Sequence, residues 1–211
     1  MADHRYIVVE GPIGVGKSSL TNILSERFHA RRVMEVVEEN PFLSSFYADK
    51  AKFAFQTQMF FLLSRFKQQQ ELFQQDLFSA VTVSDYLFAK DRIFAYLNLP
   101  QADLDTYERL YGVLSEQIPR PDMVIYLQAS DEVLVDRIRR RGRTSERTIR
   151  PEYVADVNRA YNHFFFHYTD TPLLVVNASA ADVSAHEDRF AELLQQIEDL
   201  EGGTRYYVPQ S

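Results

Sequence analysis

The chain has 211 residues, 45% of them hydrophobic and 25% charged, with a formal net charge of −7 and no cysteine. Those figures suit one globular domain with a full core and exclude disulfides and thiolate metal sites. The acidic balance disfavours a general nucleic-acid binder, which needs a basic face to displace counterions.

Met1-Ala-Asp-His-Arg5 leads directly into the apolar run Ile7-Val8-Val9, without the long apolar core of a signal peptide. The run predicts a strand over Tyr6–Glu10. Gly11-Pro-Ile-Gly-Val-Gly16-Lys17-Ser18 follows at once, and then a helix over 18–29. A G-x-x-x-x-G-K-S between a strand and a helix is the context a phosphate-binding loop requires. Gly11, Gly14, Val15, Gly16, Lys17, Ser18 and Ser19 are therefore the candidate nucleotide-binding residues. Backbone N–H groups would converge on phosphate oxygens, Lys17 would reach the β- and γ-phosphates of ATP, and the Ser18 hydroxyl would ligate Mg²⁺.

Further along, strands are predicted over 32–37, 80–85, Met123–Gln128 and Leu173–Asn177. Helices are predicted over 50–76, 102–118, 131–141, 151–168 and 182–200. Continuous apolar strands alternating with helices predict an α/β fold: a doubly wound, five-stranded parallel sheet of the P-loop NTPase type. No repeat or linker divides the chain, so one domain is expected over 1–211, with 202–211 loosely held. The longest aliphatic or aromatic run, 59–63, is far short of the roughly 20 residues that span a bilayer. A cytoplasmic protein without membrane partners is the expectation.

The 50–76 helix is apolar around its whole circumference, through Phe53, Phe55, Met59, Phe60, Phe61, Leu62, Leu63 and Phe66. Such a helix must be covered on all sides. A second copy of the chain, giving a homodimer, is the favoured cover; the 103–118 helix of the same chain is the other candidate.

Three acids stand where ligands of a doubly wound sheet bind, at the carboxyl ends of strands. Glu10 precedes the loop and can serve as a partner of its amides. Glu35 lies in the second strand, and Asp85 closes the third, placed to hold Mg²⁺ or accept a proton. A GTPase switch is disfavoured, because no N-K-x-D occurs and Asp85-Tyr-Leu-Phe88 replaces a D-x-x-G. Arg137, Arg139, Arg140, Arg141, Arg143, Arg147 and Arg150 fall within fourteen positions, a cationic patch suited to a small polyanion. Gly142 among them suggests a mobile flap, a lid over about 137–150. Arg137, Arg141 and Arg143 are the candidates to neutralise a transferring phosphoryl group. His163 and His167 have a zinc-compatible spacing but no evident third ligand, and are read as ordinary helix residues.

With these motifs the chain resembles the deoxynucleoside kinase family along nearly its whole length, and within it the bacterial deoxyguanosine and deoxyadenosine kinases. Glu35-Val-Val, eighteen residues past Lys17, is similar to the family's E-P-V segment. The resemblance implies that Glu35 contacts a nucleoside 5′-hydroxyl and is the favoured general base. Phe55-Gln56 is similar to the F-Q pair, implying that Gln56 meets the base; Tyr47 and Glu146 resemble the pair that grips the sugar 3′-hydroxyl. Arg137-x-x-x-Arg141-Gly-Arg143 resembles the arginine lid. Asp91 matches an acid that contacts the base or its reading arginine. Two departures stand out. The family commonly has Glu-Arg-Ser after the third strand, against Asp85-Tyr86-Leu87 here. Its base-reading arginine often lies seven residues beyond the glutamine, where this chain has Leu63; Arg65 lies seven beyond Gln58 instead. Gln58 and Arg65 share a helical face that Gln56 points about 160° away from, so either glutamine is a candidate. The implied reaction is transfer from ATP, with Mg²⁺, to a purine deoxynucleoside, deoxyguanosine favoured over deoxyadenosine. A thymidylate-type nucleotide kinase and a non-enzymatic nucleotide sensor are the more distant alternatives.

Overall fold

The computed structural model describes residues 5–35, 40–75, 81–143, 146, 149–179 and 187–209, with backbone alone over 72–75. The described elements are β1 (Tyr6–Glu10), α1 (Lys17–Arg27), β2 (Arg31–Val33), α2 (Leu43–Ala48), α3 (Lys50–Gln75), β3 (Thr82–Ser84) and α4 (Lys90–Asn98). They continue with α5 (Gln101–Ser115), β4 (Met123–Gln128), α6 (Asp131–Arg141), α7 (Pro151–Phe166), β5 (Leu173–Asn177), α8 (Glu187–Glu198) and β6 (Thr204–Tyr207). The strands form one sheet in the order β2-β3-β1-β4-β5-β6, and every neighbouring pair is parallel.

Successive strand residues point to opposite faces, and here both faces are covered. Ile7, Val9, Ile125, Leu127, Leu174 and Val176 pack with Leu20 and Leu24 of α1, Leu134 and Ile138 of α6, and Leu193 and Ile197 of α8. Val8, Val124, Tyr126, Leu173 and Val175 face Ile93 of α4 and Val157, Tyr161 and Phe165 of α7. Burial on both faces is why the strands are apolar without alternation. A third cluster joins Phe46 of α2, Leu62 of α3, Ala95 of α4 and Tyr107 of α5. Phe53, Phe55, Met59 and Phe66 pack against it, so helices of the same chain cover much of α3; Leu63 stays 49% exposed.

The sheet has six strands where five were expected. The sixth is Thr204–Tyr207, in the tail read as loose, paired in parallel with β5. An edge strand needs one partner and one covered face, so it carries no apolar run: its residues alternate exposed and half-buried. Helices α2 and α4 were not expected either. β2 ends at Val33, which puts Glu35 two residues beyond the strand instead of inside it. Positions 36–37, 76, 80 and 182–186 of the predicted elements, lid positions 144, 145, 147 and 148, and tail positions 210–211 lie outside the described residues. Among the described residues no helix is long and apolar enough to cross a membrane.

The chain leaves β1 toward β2 and leaves the adjacent β4 toward β5. Such a reversal opens a crevice beyond the carboxyl ends of the two strands. The loop from Gly11 to Gly16 lies there.

Candidate active site

Glycine at position 14 is required on two counts. Its φ is 87°, and a Cβ there would come within 2.8 Å of Ile138 Cγ1 and 3.0 Å of the Leu134 carbonyl oxygen, so the loop seats directly on α6. Gly16 caps α1 in the left-handed region, which places Lys17, Ser18 and Ser19 in the first turn, where N–H groups have no partner inside the helix. Lys17 Nζ donates to the carbonyl oxygens of Gly11 at 2.8 Å and Pro12 at 3.3 Å. Burial lowers the Lys17 pKa, with Glu10 pulling the other way.

Two cavities meet at this loop. One, of about 350 Å³, is walled by residues 14–20 with Leu127, Arg137, Arg141, Arg143 and Ala178. The other, of about 330 Å³, runs between Glu35, Tyr47, Gln58, Arg65, Lys90 and Tyr153. Gly14, Lys17, Ser18, Arg141 and Arg143 line both. A phosphate donor and an acceptor in separate chambers would therefore touch at Lys17 and Ser18.

Glu35 Oε1 accepts from Arg65 Nε at 2.9 Å and from Arg65 Nη2, and its Oε2 accepts from Lys90 Nζ at 2.6 Å. Burial alone would raise its pKa; Lys90 and Arg65 outweigh burial and hold the carboxyl well below the usual carboxylate range. Asp85, just past β3, accepts from Ser18 Oγ at 2.8 Å and from the Glu35 backbone N–H at 2.6 Å. It thereby ties the phosphate loop to the segment that carries the acid. Ser18 Oγ and the Asp85 carboxylate are the hard oxygen donors Mg²⁺ takes, and one carboxylate with nucleotide phosphates is a usual set. Among the described residues no group of three or more His, Asp or Glu would hold a metal by itself.

At the far end of the second cavity Gln58 Nε2 donates to Asp91 Oδ2 and to the Asp91 carbonyl oxygen, each at 2.8 Å. Tyr107 donates to Asp91 Oδ2 at 2.9 Å, and Arg65 Nη1 to Asp91 Oδ1. Asp91 is fully buried, and both its oxygens are engaged by protein donors. It anchors the two side chains that face the cavity and is not itself part of the wall. Gln56 is exposed, on the opposite side of α3, so the structure brings Gln58 and Arg65 to this site and leaves Gln56 out of it.

Tyr47 and Glu146 line the same cavity. Burial, reinforced by Tyr153, raises the Tyr47 hydroxyl pKa above its ordinary value. Glu146 accepts from Arg141 Nε at 3.2 Å. Arg137 Nη1 donates to the Val15 carbonyl oxygen at 3.1 Å and Nη2 to that of Ala178 at 2.9 Å. Arg137 and Arg141 belong to α6, which Ser130 caps and Gly142 ends at φ 65°, so the expected flap starts inside a helix. Basic residues in that last turn face the negative end of the helix. His163 and His167 meet edge-on, with ring centroids 4.8 Å apart, and line a separate cavity with Arg92 and Tyr96.

The sequence reading missed Lys90. Its Nζ lies 2.6 Å from Glu35 and 3.7 Å from Glu10. A lysine opening a helix looks like a solvated one, and only the packing of α4 onto the sheet shows otherwise. Glu10 is fully buried and accepts from the Gly11 N–H at 2.9 Å and the Leu87 N–H at 2.8 Å, the loop-partner role open to it from sequence. Burial raises its pKa, opposed by Lys90 and Lys17. At the position where the resemblance looks for an arginine, Tyr86 is buried, and its ring lies 5.9 Å from the Lys90 ammonium.

The deoxynucleoside kinase family model matches residues 7–200. The chain is 32% identical over 200 residues to the deoxyguanosine kinase of Bacillus subtilis (strain 168), covering 92% of this chain and 97% of the relative. It is 31% identical over 199 residues to the deoxyadenosine/deoxycytidine kinase of the same organism, covering 90% of each. The structure of deoxyadenosine kinase from M. mycoides with bound dATP matches with a TM-score of 0.79 at 28% identity, covering 93% of this chain and 100% of that one.

Proposed function

Because the chain belongs to the deoxynucleoside kinase family, we propose that it transfers the γ-phosphoryl group of ATP to the 5′-hydroxyl of a purine deoxynucleoside, deoxyguanosine in preference to deoxyadenosine. The observation that carries this reading is the meeting of two chambers at Lys17 and Ser18, with the Glu35 carboxylate on the acceptor side. The 5′-O–H bond breaks and its proton passes to Glu35. A bond forms from O5′ to the γ-phosphorus while the bond to the β,γ-bridging oxygen breaks, and ADP leaves with that electron pair. Lys17 and the loop amides hold the β- and γ-phosphates; Arg141 and Arg143 spread charge away from the transferring group, and Arg137 fixes α6 to the loop. Ser18 and Asp85 would hold Mg²⁺, which when bound neutralises phosphate charge. Tyr47 and Glu146 grip the sugar.

Gln58 and Arg65 read the base, held by Asp91. Arg65 presents donors, which suit the guanine O6 acceptor and oppose the adenine 6-amino group. One unpaired buried polar group costs about 1–3 kcal/mol, or roughly 5- to 150-fold in affinity. The reading includes a homodimer through the outward faces of α3 and α5, and a cytoplasmic location, which a cysteine-free chain suits. Phosphate transfer from ATP to deoxyguanosine, deoxyadenosine, deoxycytidine and dTMP, assayed in parallel, tests it. We expect the highest kcat/KM for deoxyguanosine, with deoxyadenosine second. A higher value for deoxyadenosine reverses the base assignment, and the absence of acceptor-dependent turnover removes the activity.

A further inference from the structure

Lys90 is 2% exposed, and a buried ammonium needs a reason, because desolvating it costs several kcal/mol unless it is paired. Its Nζ stands between two carboxylates from different strand ends, Glu35 Oε2 at 2.6 Å and Glu10 Oε2 at 3.7 Å, and it lines the acceptor cavity. The two contacts are unequal. Glu10 already receives the Gly11 and Leu87 amides, one on each oxygen, and the Tyr161 hydroxyl at 3.3 Å. At Glu35, Arg65 reaches Oε1 alone and is drawn at the same time toward Asp91, whereas Oε2 is held by Lys90. Without Lys90 the Glu35 carboxylate is held through Oε1 alone, by Arg65, and nothing fixes where Oε2 points; a carboxylate that pivots on Oε1 misses the hydroxyl it must meet. Displacements of about 1 Å in such groups cost about 100-fold in rate.

From this geometry we infer that Lys90 is a positioning residue of the phosphoryl transfer. It holds Glu35 Oε2 toward the acceptor hydroxyl, and itself neither makes nor breaks a covalent bond. The inference rests on the proposed activity and deepens it.

Lys90→Met keeps the stem and removes the charge. The variant is compared with the unaltered enzyme in steady-state kinetics, in thermal melting, and in direct binding of 2′,5′-dideoxyguanosine, which lacks the reacting hydroxyl. We expect kcat to fall about 100-fold, while the KM for deoxyguanosine and the Kd for the dideoxy analogue change less than about threefold. A purely structural lysine would instead lower the melting temperature and weaken analogue binding with kcat retained. If Lys90→Met melts too low to assay, Glu10→Gln/Lys90→Met, which also neutralises the second carboxylate, is assayed against Glu10→Gln alone. The same loss in kcat is expected. A folded Lys90→Met with normal kcat overturns the inference, as does a Glu10→Gln variant that reproduces the whole loss, since the lysine would then act through Glu10. Failure of the unaltered enzyme to phosphorylate any deoxynucleoside sinks the proposed function instead, so the two failures are distinct.

Discussion

Glu35 is pulled two ways, since burial favours its neutral form and two cations favour the charged one. The cations prevail, through Lys90 on one oxygen and Arg65 on the other. The consequence is a carboxylate that is weakly basic but fixed in direction; as the proposed proton acceptor it would contribute by aim more than by proton affinity. Glu35→Gln keeps the shape and removes the acceptor, and is expected to lower kcat by about 10²- to 10⁴-fold with ATP binding unchanged. The same change leaves Lys90 and Arg65 short of a partner, which costs roughly 3 kcal/mol at neutral pH. Because the folded pKa of Glu35 lies below the unfolded value, near 4.3 for a free glutamate, that stability is complete above about pH 4.3 and fades below it. Melting curves of the two proteins should therefore differ by a constant amount from pH 7 to 5 and converge under pH 4. A gap that closes already between pH 7 and 5 would show the carboxyl pKa raised instead.

Helix α4 and strand β6 show why parts of the architecture escape a sequence pattern. The inward face of α4 is not apolar where it meets the site: Lys90 and Asp91, 2% and 0% exposed, occupy positions a hydrophobic stripe would fill. Two buried charged residues interrupt the periodicity that would have revealed the helix. α2, at six residues, is too short to display a period at all. The strand-loop-helix around Gly11 to Ser18, by contrast, could be read directly, because its glycines, Lys17 and Ser18 are close in sequence and flanked by β1 and α1. The pair Gln58 and Arg65 was readable as one face of a long helix, but choosing it over Gln56 required knowing which face meets Asp91. In β6, Tyr207 packs onto the α1–α6–α8 side of the sheet and its hydroxyl donates to Glu192 of α8 at 2.9 Å. Ending the chain before Thr204 uncovers the β5 edge and several backbone hydrogen bonds, each worth about 1 kcal/mol net. The shortened protein is expected to melt several degrees lower while its KM for ATP is unchanged, since β6 lies at the sheet edge away from the loop. An unaltered melting temperature would mean that β6 adds nothing to stability.

Across the molecule, positive charge is gathered where the two chambers join, on a chain whose net charge is −7. Lys17, Arg141 and Arg143 line that junction, and cations gathered in a cleft raise the local concentration of a polyanion there. The acceptor chamber is walled largely by α2, α3 and α4, and α3 is long enough to reach from that wall to the surface. Helices of the same chain cover most of its apolar circumference, yet Leu63 of α3 and Val113 of α5 stand 49% and 58% exposed. If a second copy covers them, α3 is braced from outside, and Gln58 and Arg65 on its inner face are braced with it. Light scattering after size exclusion is expected to give twice the 24.6 kDa chain mass, and Leu63→Glu with Val113→Glu to give a monomer. On the proposed reading, the monomer should keep its affinity for ATP in the chamber built from α1 and α6 but bind deoxyguanosine more weakly, because Gln58 and Arg65 have lost their outer support. A 24.6 kDa species for the unaltered chain at micromolar concentration would remove the second copy from this picture and leave α3 held by α2, α4 and α5 alone.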